Sequence, residues 1–386
     1  MAELISGTIQ NEVLQEVIAP VEEPSVFIKR VVLKNFRCFK NYVLDLHERV
    51  ILLEGANGVG KTSFLEALYY ACYLRSFRSH SPKEMVTFGQ NGFFMQIEVA
   101  NNLYMHEFFH DIQIGFSQNK KLVKVDQKTI SSYKELMRIY RVISLTEDDL
   151  ELIKGSPQVR RTFMDQALLL TNPEYITILR TYRQLLDQRN ALLFQHRFDR
   201  DSYEILTQKL WEYSGLIQSA RTETVGQFSE LVAQLARDYF DIELIIEFSY
   251  LPKYELQESL QEFTQSHPLL YDRELRLKRT LFGAHLDDLI IQFKGQQARQ
   301  FASRGQQKLV VLLIKIAQAL QLHQKGMGGV ILLDDFMTDF DQERSERLLR
   351  VLDTVGSQLI FTSPIQKALL GQELERRGAQ SIKLTY

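Results

Sequence analysis

Eight residues, Gly55-Ala56-Asn57-Gly58-Val59-Gly60-Lys61-Thr62, limit what this chain can fold into more than any other segment. They match G-x-x-x-x-G-K-[ST], the pattern of a phosphate-binding P-loop. Their flanks are the ones such a loop needs. Val50 to Leu53 is a short apolar run that reads as a strand. Residues 61–74 place Phe64, Leu65, Leu68 and Ala71 at helical spacing. In a strand–loop–helix unit of this kind, Gly55, Gly58 and Gly60 let the amides of Ala56, Asn57 and Val59 turn toward phosphate oxygens. The amino terminus of the helix points at the same anion. Lys61 neutralises the β and γ phosphates of a nucleotide, and the Thr62 hydroxyl is placed to ligate Mg²⁺. The cofactor set this predicts is ATP with Mg²⁺.

A second element lies far downstream. Val330-Ile331-Leu332-Leu333-Asp334-Asp335 reads as a strand buried on both faces that ends in two carboxylates. Sites on parallel sheets form at the carboxyl ends of strands. Asp334 is therefore expected in the Mg²⁺ shell, and Asp335 orients or deprotonates the attacking water. Lys61 and Asp335 are the candidate catalytic residues. The bland alternative for such aspartates is capping of the helix that follows.

The rest of the chain is ordered around these motifs. The sequence has 386 residues, 45% apolar and 24% charged, as expected of a soluble globular protein. No run approaches the roughly 18 apolar residues of a membrane helix, and no secretory signal is evident, so a cytoplasmic protein is expected, with no membrane partner. Its two cysteines, Cys38 and Cys72, exclude a disulfide framework and read as small apolar residues. The net charge of −2 neither argues for nucleic-acid binding nor excludes it. Residues 1–25 read as a flexible leader. Residues 26–36 read as a strand, and so do Phe93–Val99 and Leu122–Val125. From about Asn172 to Arg237 the pattern is helical, with three helices expected in an inserted arm. Strand texture returns at Ile242 to Phe248, helix near Glu255–Ser266, and strand–helix alternation thereafter. The predicted class is α/β, a P-loop ATPase head split by a helical arm. Its parts are 26–168 and 276–386 for the ATPase domain and 169–275 for the arm.

Ser303-Arg304-Gly305-Gln306-Gln307 precedes a long amphipathic helix with Leu309, Leu313, Ile316 and Leu320 on one face. Ser303 and Gln306 have capping-box spacing. The same residues resemble the signature loop of ABC-type ATPases, S-x-G-Q. A capped helix terminus beside a glycine suits a γ-phosphate, so the two readings agree. In that class the signature of one subunit completes the nucleotide site of another.

More of the chain is similar to the RecF family, an SMC/Rad50-like branch of ABC-type ATPases. The resemblance runs from about Val26 to the end. It rests on Leu33-Lys34-Asn35-Phe36-Arg37, on Leu74-Arg75-Ser76-Phe77-Arg78, and on the run from Asp148 to Pro157 with Arg160, Arg161 and Asp165. Gln188 to Leu193, Trp211 and Arg221 in the arm also fit. Gly283-Ala284-His285-Leu286-Asp287-Asp288 resembles G-P-H-R-D-D, and Asp339-Phe340-Asp341 resembles the D-loop. Ala284 and Leu286 replace the family's Pro and Arg, and Asp148 replaces Glu. The switch histidine of transporters is not evident; Thr362 and Ser363 end the last strand instead. His285, Asp287 and Asp288 read as a satisfied polar turn near the ATP site rather than a metal triad.

The resemblance implies that Arg37 lies near bound nucleotide, and that Ser303, Gly305, Gln306 and Asp341 belong to the nucleotide site. It implies an ATP-dependent homodimer that binds gapped duplex DNA and single-strand/duplex junctions, assists recombinase loading with a RecR-like partner, and hydrolyses ATP weakly as a reset. Lys29, Arg30, Lys34, Lys40, Arg75, Arg78, Lys120, Lys121 and Lys124 are candidates for meeting DNA. An SMC-like ATPase regulating a nuclease and a transport ATPase subunit are the alternatives.

Overall fold

Residues 25–385 are described by the computed structural model, apart from 104–105, 196–198, 241–243, 256–258 and 365–367. The expected leader lies, up to residue 24, outside the described residues. In chain order the strands are β1 (Val26–Phe36), β2 (Phe39–Asp45), β3 (Val50–Glu54), β4 (Gly92–Leu103), β5 (His106–Ser117), β6 (Lys120–Val125), β7 (Lys128–Thr129), β8 (Val142–Leu145), β9 (Ile246–Leu251), β10 (Asp288–Phe293), β11 (Gln296–Gln297), β12 (Val330–Leu333), β13 (Gln358–Ser363) and β14 (Gln380–Lys383). The chain divides into two compact units, one closing at Glu147 and resuming at Gln318, the other Asp148–Ala317. These limits lie at other places than the texture changes at 168 and 276. The reason is that helix Pro157–Thr171 packs on the two long arm helices, and β10 packs on that helix and pairs with β9.

The first unit carries two sheets. The parallel sheet has the order β14-β3-β13-β12-β8. All four residues of β12 are buried, as are all six of β13, which is what a central parallel strand covered on both faces demands. Register aligns Leu333 with Phe361 and Leu145, and Thr362 with Leu53. The carboxyl ends of β3, β13, β12 and β8 therefore share one edge, and the P-loop and Asp334 both emerge there. The second sheet is antiparallel, β2-β1-β4-β5-β6-β7. Val31 and Leu33 of β1 are fully buried while Arg30 and Lys34 are exposed, the period of two that a one-sided sheet requires. At the irregularity between Ile28 and Arg30 the ladder is interrupted. There the fully buried Gln358 of β13 accepts from the Ile28 amide at 2.8 Å and donates to the Ile28 carbonyl at 3.2 Å. One side-chain amide thus satisfies the strand where its neighbours do not.

The second unit contains the arm helices. Its long helices are Tyr175–Phe194 and Arg200–Tyr239. Where three helices are expected between 172 and 237, the described residues form two. The 40 residues of the second form a single helix, at about 1.5 Å per residue roughly 60 Å long. It contains no proline, and the cost of Gly215 and Gly226 is offset by a seam of fourteen buried residues. The helix Arg304–Gln324 also departs from a one-faced pattern. Val310, Val311, Leu312 and Ile314 are buried along with Leu309 and Leu313, because the run is apolar on every side. Among the described residues no helix is long and apolar enough to cross a membrane.

Candidate functional site

The helix Lys61–Tyr73 begins with Gly60 in the left-handed region at φ 103°, has no side-chain cap and carries no acid in its first turn. Its first amides are therefore open to an anion. Gly60 admits no side chain on two grounds. The conformation is one that L residues avoid, and a Cβ there would lie 2.5 Å from the Cys38 sulfur and 2.9 Å from the Phe39 ring. The β1–β2 turn thus closes directly over the end of the loop. Gly58 is also left-handed, at φ 87°, and Ala56, Asn57 and Gly58 are exposed.

Lys61 is buried, and its ammonium donates to the Gly55 carbonyl at 2.9 Å and the Ala56 carbonyl at 3.3 Å. No carboxylate pairs with it among the described residues. A buried cation held by carbonyls alone lacks the counter-charge that burial calls for, and the arrangement fits an anion arriving from outside the chain.

Asp334 lies beside this loop. Its carboxylate accepts from the Thr62 hydroxyl at 3.0 Å and from the Thr362 hydroxyl at 2.8 Å. Burial pushes its pKa up, opposed by those two donors. Two hard oxygen groups, Thr62 and Asp334, meet here. Among the described residues no group of three or more acidic, His or Cys side chains could cage an ion. That donor set fits Mg²⁺ carried by a triphosphate, which completes its shell with phosphate oxygens and water. Asp335 follows in the left-handed region at φ 50°, its amide donating to the Thr362 hydroxyl at 2.8 Å.

Arg37, expected near nucleotide, stands in the β1–β2 turn at φ 52°. Its guanidinium is engaged by the protein itself. Nε and Nη2 donate to the two oxygens of Glu66 at 2.8 and 2.6 Å, Nη2 also reaches Ser79, and Nη1 donates to the Glu84 carbonyl at 2.7 Å. Glu66 is fully buried in the P-loop helix, accepts from Ser76, and lies 3.8 Å from Arg78. Arg37 therefore ties the turn and the 74–85 segment to that helix. Glu66 was missed by sequence reasoning, although an acid among Phe64, Leu65, Ala67 and Leu68 signals a buried partner. In the sequence Thr362 is marked only by standing near where transporters have their switch histidine.

Asp341 caps the helix Gln342–Asp353, accepting from the Arg344 amide at 2.8 Å. Ser303, Gly305 and Gln306 belong to the other unit. Ser303 and Gln306 form the capping box: the Ser303 amide donates to the Gln306 side chain at 2.7 Å, and the Gln306 amide to the Ser303 hydroxyl at 3.3 Å. Of the polar turn, His285 bonds Tyr182 at 2.7 Å, Asp288 takes a bidentate pair from Arg160 at 2.6 and 2.8 Å, and Asp287 accepts from the Lys253 amide at 2.8 Å, Gln218 and Tyr250. Of the DNA candidates, Lys29 and Arg30 pair with Glu107 and Asp45, at 4.0 and 3.2 Å. Of the two thiols, Cys72 is buried and pushed up to about 12 by burial, while Cys38 is part-buried.

A P-loop and a carboxylate-tipped strand on one edge of a parallel sheet, with a helical unit inserted, define a class: the P-loop ATPase head of the ABC type. The RecF/RecN/SMC N terminal domain family model matches residues 27–375, and the chain belongs to that family. It is 32% identical over 355 residues to the DNA replication and repair protein RecF of Desulforudis audaxviator, covering 90% of this chain and 96% of that one. It is 30% identical over 338 residues to the protein of the same name from Natranaerobius thermophilus, covering 83% and 87%. Among solved structures, that of the recombination mediator protein RecF-ATP in the RecFOR pathway matches with a TM-score of 0.79 at 26% identity, over 89% of this chain and 93% of that one. An Smc head domain from Pyrococcus furiosus shares the fold, with a TM-score of 0.51 at 16% identity over 90% of this chain and 91% of that one.

Proposed function

We propose that this protein is an ATP-gated, DNA-binding recombination mediator of the RecF kind. The observation that carries the nucleotide part is Lys61, a buried cation whose partners among the described residues are carbonyls, at the foot of an uncapped helix. In this reading the triphosphate displaces those carbonyls from Lys61 and takes the first helix amides. Mg²⁺, held by Thr62, Asp334 and the phosphates, supplies charge neutralisation when bound. Asp335 orients the attacking water. Two copies close head to tail, and Ser303, Gly305 and Gln306 of one meet the nucleotide of the other, with Asp341 at the same junction. Residues 169–275 act as the arm lobe between the two ATPase segments. Hydrolysis is weak and resets the closed state.

The DNA part is supported by the relatives, which are named DNA replication and repair proteins. The substrate class is gapped duplex or a single-strand/duplex junction, the partner a RecR-like protein, and the compartment the cytoplasm. The exposed Lys34, Lys40 and Lys120 are assigned to phosphates. The test is a titration of gapped duplex DNA with and without ATP at rising salt. Binding should require ATP and weaken by about tenfold or more between 50 and 200 mM salt, as counterion release dictates for several phosphate contacts. Equal binding with and without ATP would remove the gating, and no binding at any salt would remove the DNA role.

A further inference from the structure

We propose that Thr362 is a positioning residue for ATP hydrolysis, its one hydroxyl setting the geometry of both aspartates at the end of β12. This rests on the proposed function and goes beyond it, because the chemistry there was given to Asp334, Asp335 and the P-loop alone.

Thr362 is the penultimate residue of β13, the strand between β3 of the P-loop and β12 of the aspartates. It is 2% exposed. Its Oγ1 lies 2.8 Å from Asp334 Oδ1, 3.3 Å from Asp335 Oδ1 and 2.8 Å from the Asp335 amide. A hydroxyl has one proton to donate and two lone pairs with which to accept. The amide has only a proton, so Oγ1 must accept from it. The hydroxyl proton then goes to one carboxylate, and the shorter distance assigns it to Asp334. Two constraints follow. The Asp334 oxygen that accepts from Thr62 at 3.0 Å is fixed from its other side by Thr362. The Asp335 amide is anchored, which holds the left-handed backbone at φ 50° that turns the chain out of β12. The direction of the Asp335 carboxylate depends on that turn.

The side chain suits the task. A β-branched side chain is restricted at χ1, which limits where its hydroxyl can lie relative to the strand. Valine would fill the same space but leave the Asp335 amide without its acceptor and Asp334 without one donor. Neither change touches the glycine loop or Lys61. The expected signature is a loss in turnover without a loss in nucleotide binding, which a merely structural residue would not produce.

The experiment compares Thr362→Val and Thr362→Ser in the full chain with wild type. It reads kcat and KM for ATP, the Kd of a fluorescent ATP analogue, and the lifetime of the ATP-induced dimer by light scattering. Thr362→Val should lower kcat by about tenfold or more, keep KM and Kd within about threefold, and lengthen the life of the dimer. Thr362→Ser should restore kcat to within about threefold of wild type. If Thr362→Val does not fold, Thr362→Cys takes its place, filling similar space with a weak donor, and should show the same loss in part. Wild-type kcat in the valine variant, equal losses in valine and serine variants, or a Kd that rises in step with the fall in kcat would each overturn the assignment. A wild-type protein that does not bind the analogue would instead overturn the proposed function, and this inference with it.

Discussion

Lys61 in the nucleotide unit and Arg189 in the arm are both cations withdrawn from water, 5% and 1% exposed, yet their surroundings follow opposite rules. The guanidinium of Arg189 has five protons and all five are placed. Nε donates to Thr207 at 3.0 Å, Nη1 to Glu274 at 3.1 Å and Thr280 at 2.8 Å, and Nη2 to Tyr203 and Glu274, both at 2.6 Å. The rings of Tyr203 and Phe282 lie against its faces at 4.4 and 4.8 Å. Among the described residues Lys61 has two carbonyls and no carboxylate. A buried charge with every proton placed is part of the frame; a buried charge lacking its counter-charge marks where a ligand supplies it. Arg221 likewise has its counter-charge, with Asp165 at 2.9 Å, and donates to the Ala284 carbonyl at 2.7 Å. Among the residues carrying the family resemblance, Arg189 and Arg221 thus have their counter-charge within the second unit, whereas Lys61 is held by carbonyls.

Three measurements can break or sharpen this contrast. Glu274→Ala has the largest expected effect. It leaves Arg189 buried without its carboxylate, and removing one partner of such a pair costs about 3–5 kcal/mol. Chemical denaturation should show that loss, with nucleotide affinity preserved as long as the protein is folded. A change below about 1 kcal/mol would mean that Arg189 finds other compensation.

Lys61→Met is the converse. Nucleotide affinity should fall by about a hundredfold or more, equivalent to about 2.7 kcal/mol of binding. Thermal stability without ATP should hold or rise, because an uncompensated buried charge is removed. If instead the variant melts well below wild type, Lys61 is part of the frame and the contrast fails.

The smallest effect concerns His285, half-buried beside Tyr182 in the second unit. Burial holds its pKa down at about 4, with Arg161 and Arg189 pushing the same way. The unfolded chain takes up this proton near pH 6.5, the folded chain only near pH 4. Stability is therefore present above pH 6.5 and falls as pH drops toward 4. At pH 5 the loss is about 2 kcal/mol, from 1.36 kcal/mol per pH unit. His285→Gln should remove that share of the slope in denaturation measured between pH 7 and 5. Parallel curves for variant and wild type would show that His285 takes up its proton at the same pH folded and unfolded.

What the sequence by itself determined is local in the chain. The P-loop depends on glycines and a lysine within eight residues, and its strand and helix on periodicity directly beside it. Strands β1 and β12 were legible to the residue, and so was the Ser303–Gln306 capping box, because four consecutive residues make it. The long arm helix was less legible, since tertiary burial along one seam overrode two interior glycines. The tertiary structure alone decided which distant groups meet. Thr62 and Asp334 are 272 residues apart, and Arg189 and Glu274 are 85 apart. Arg37 has a conspicuous place in a motif, but only the packing of its turn on the P-loop helix shows that its guanidinium is taken up by Glu66. Thr362 is an ordinary strand residue until sheet order sets β13 between β3 and β12. Periodicity and propensity act over a few residues, whereas the counter-charge of a buried ion comes from wherever the chain returns.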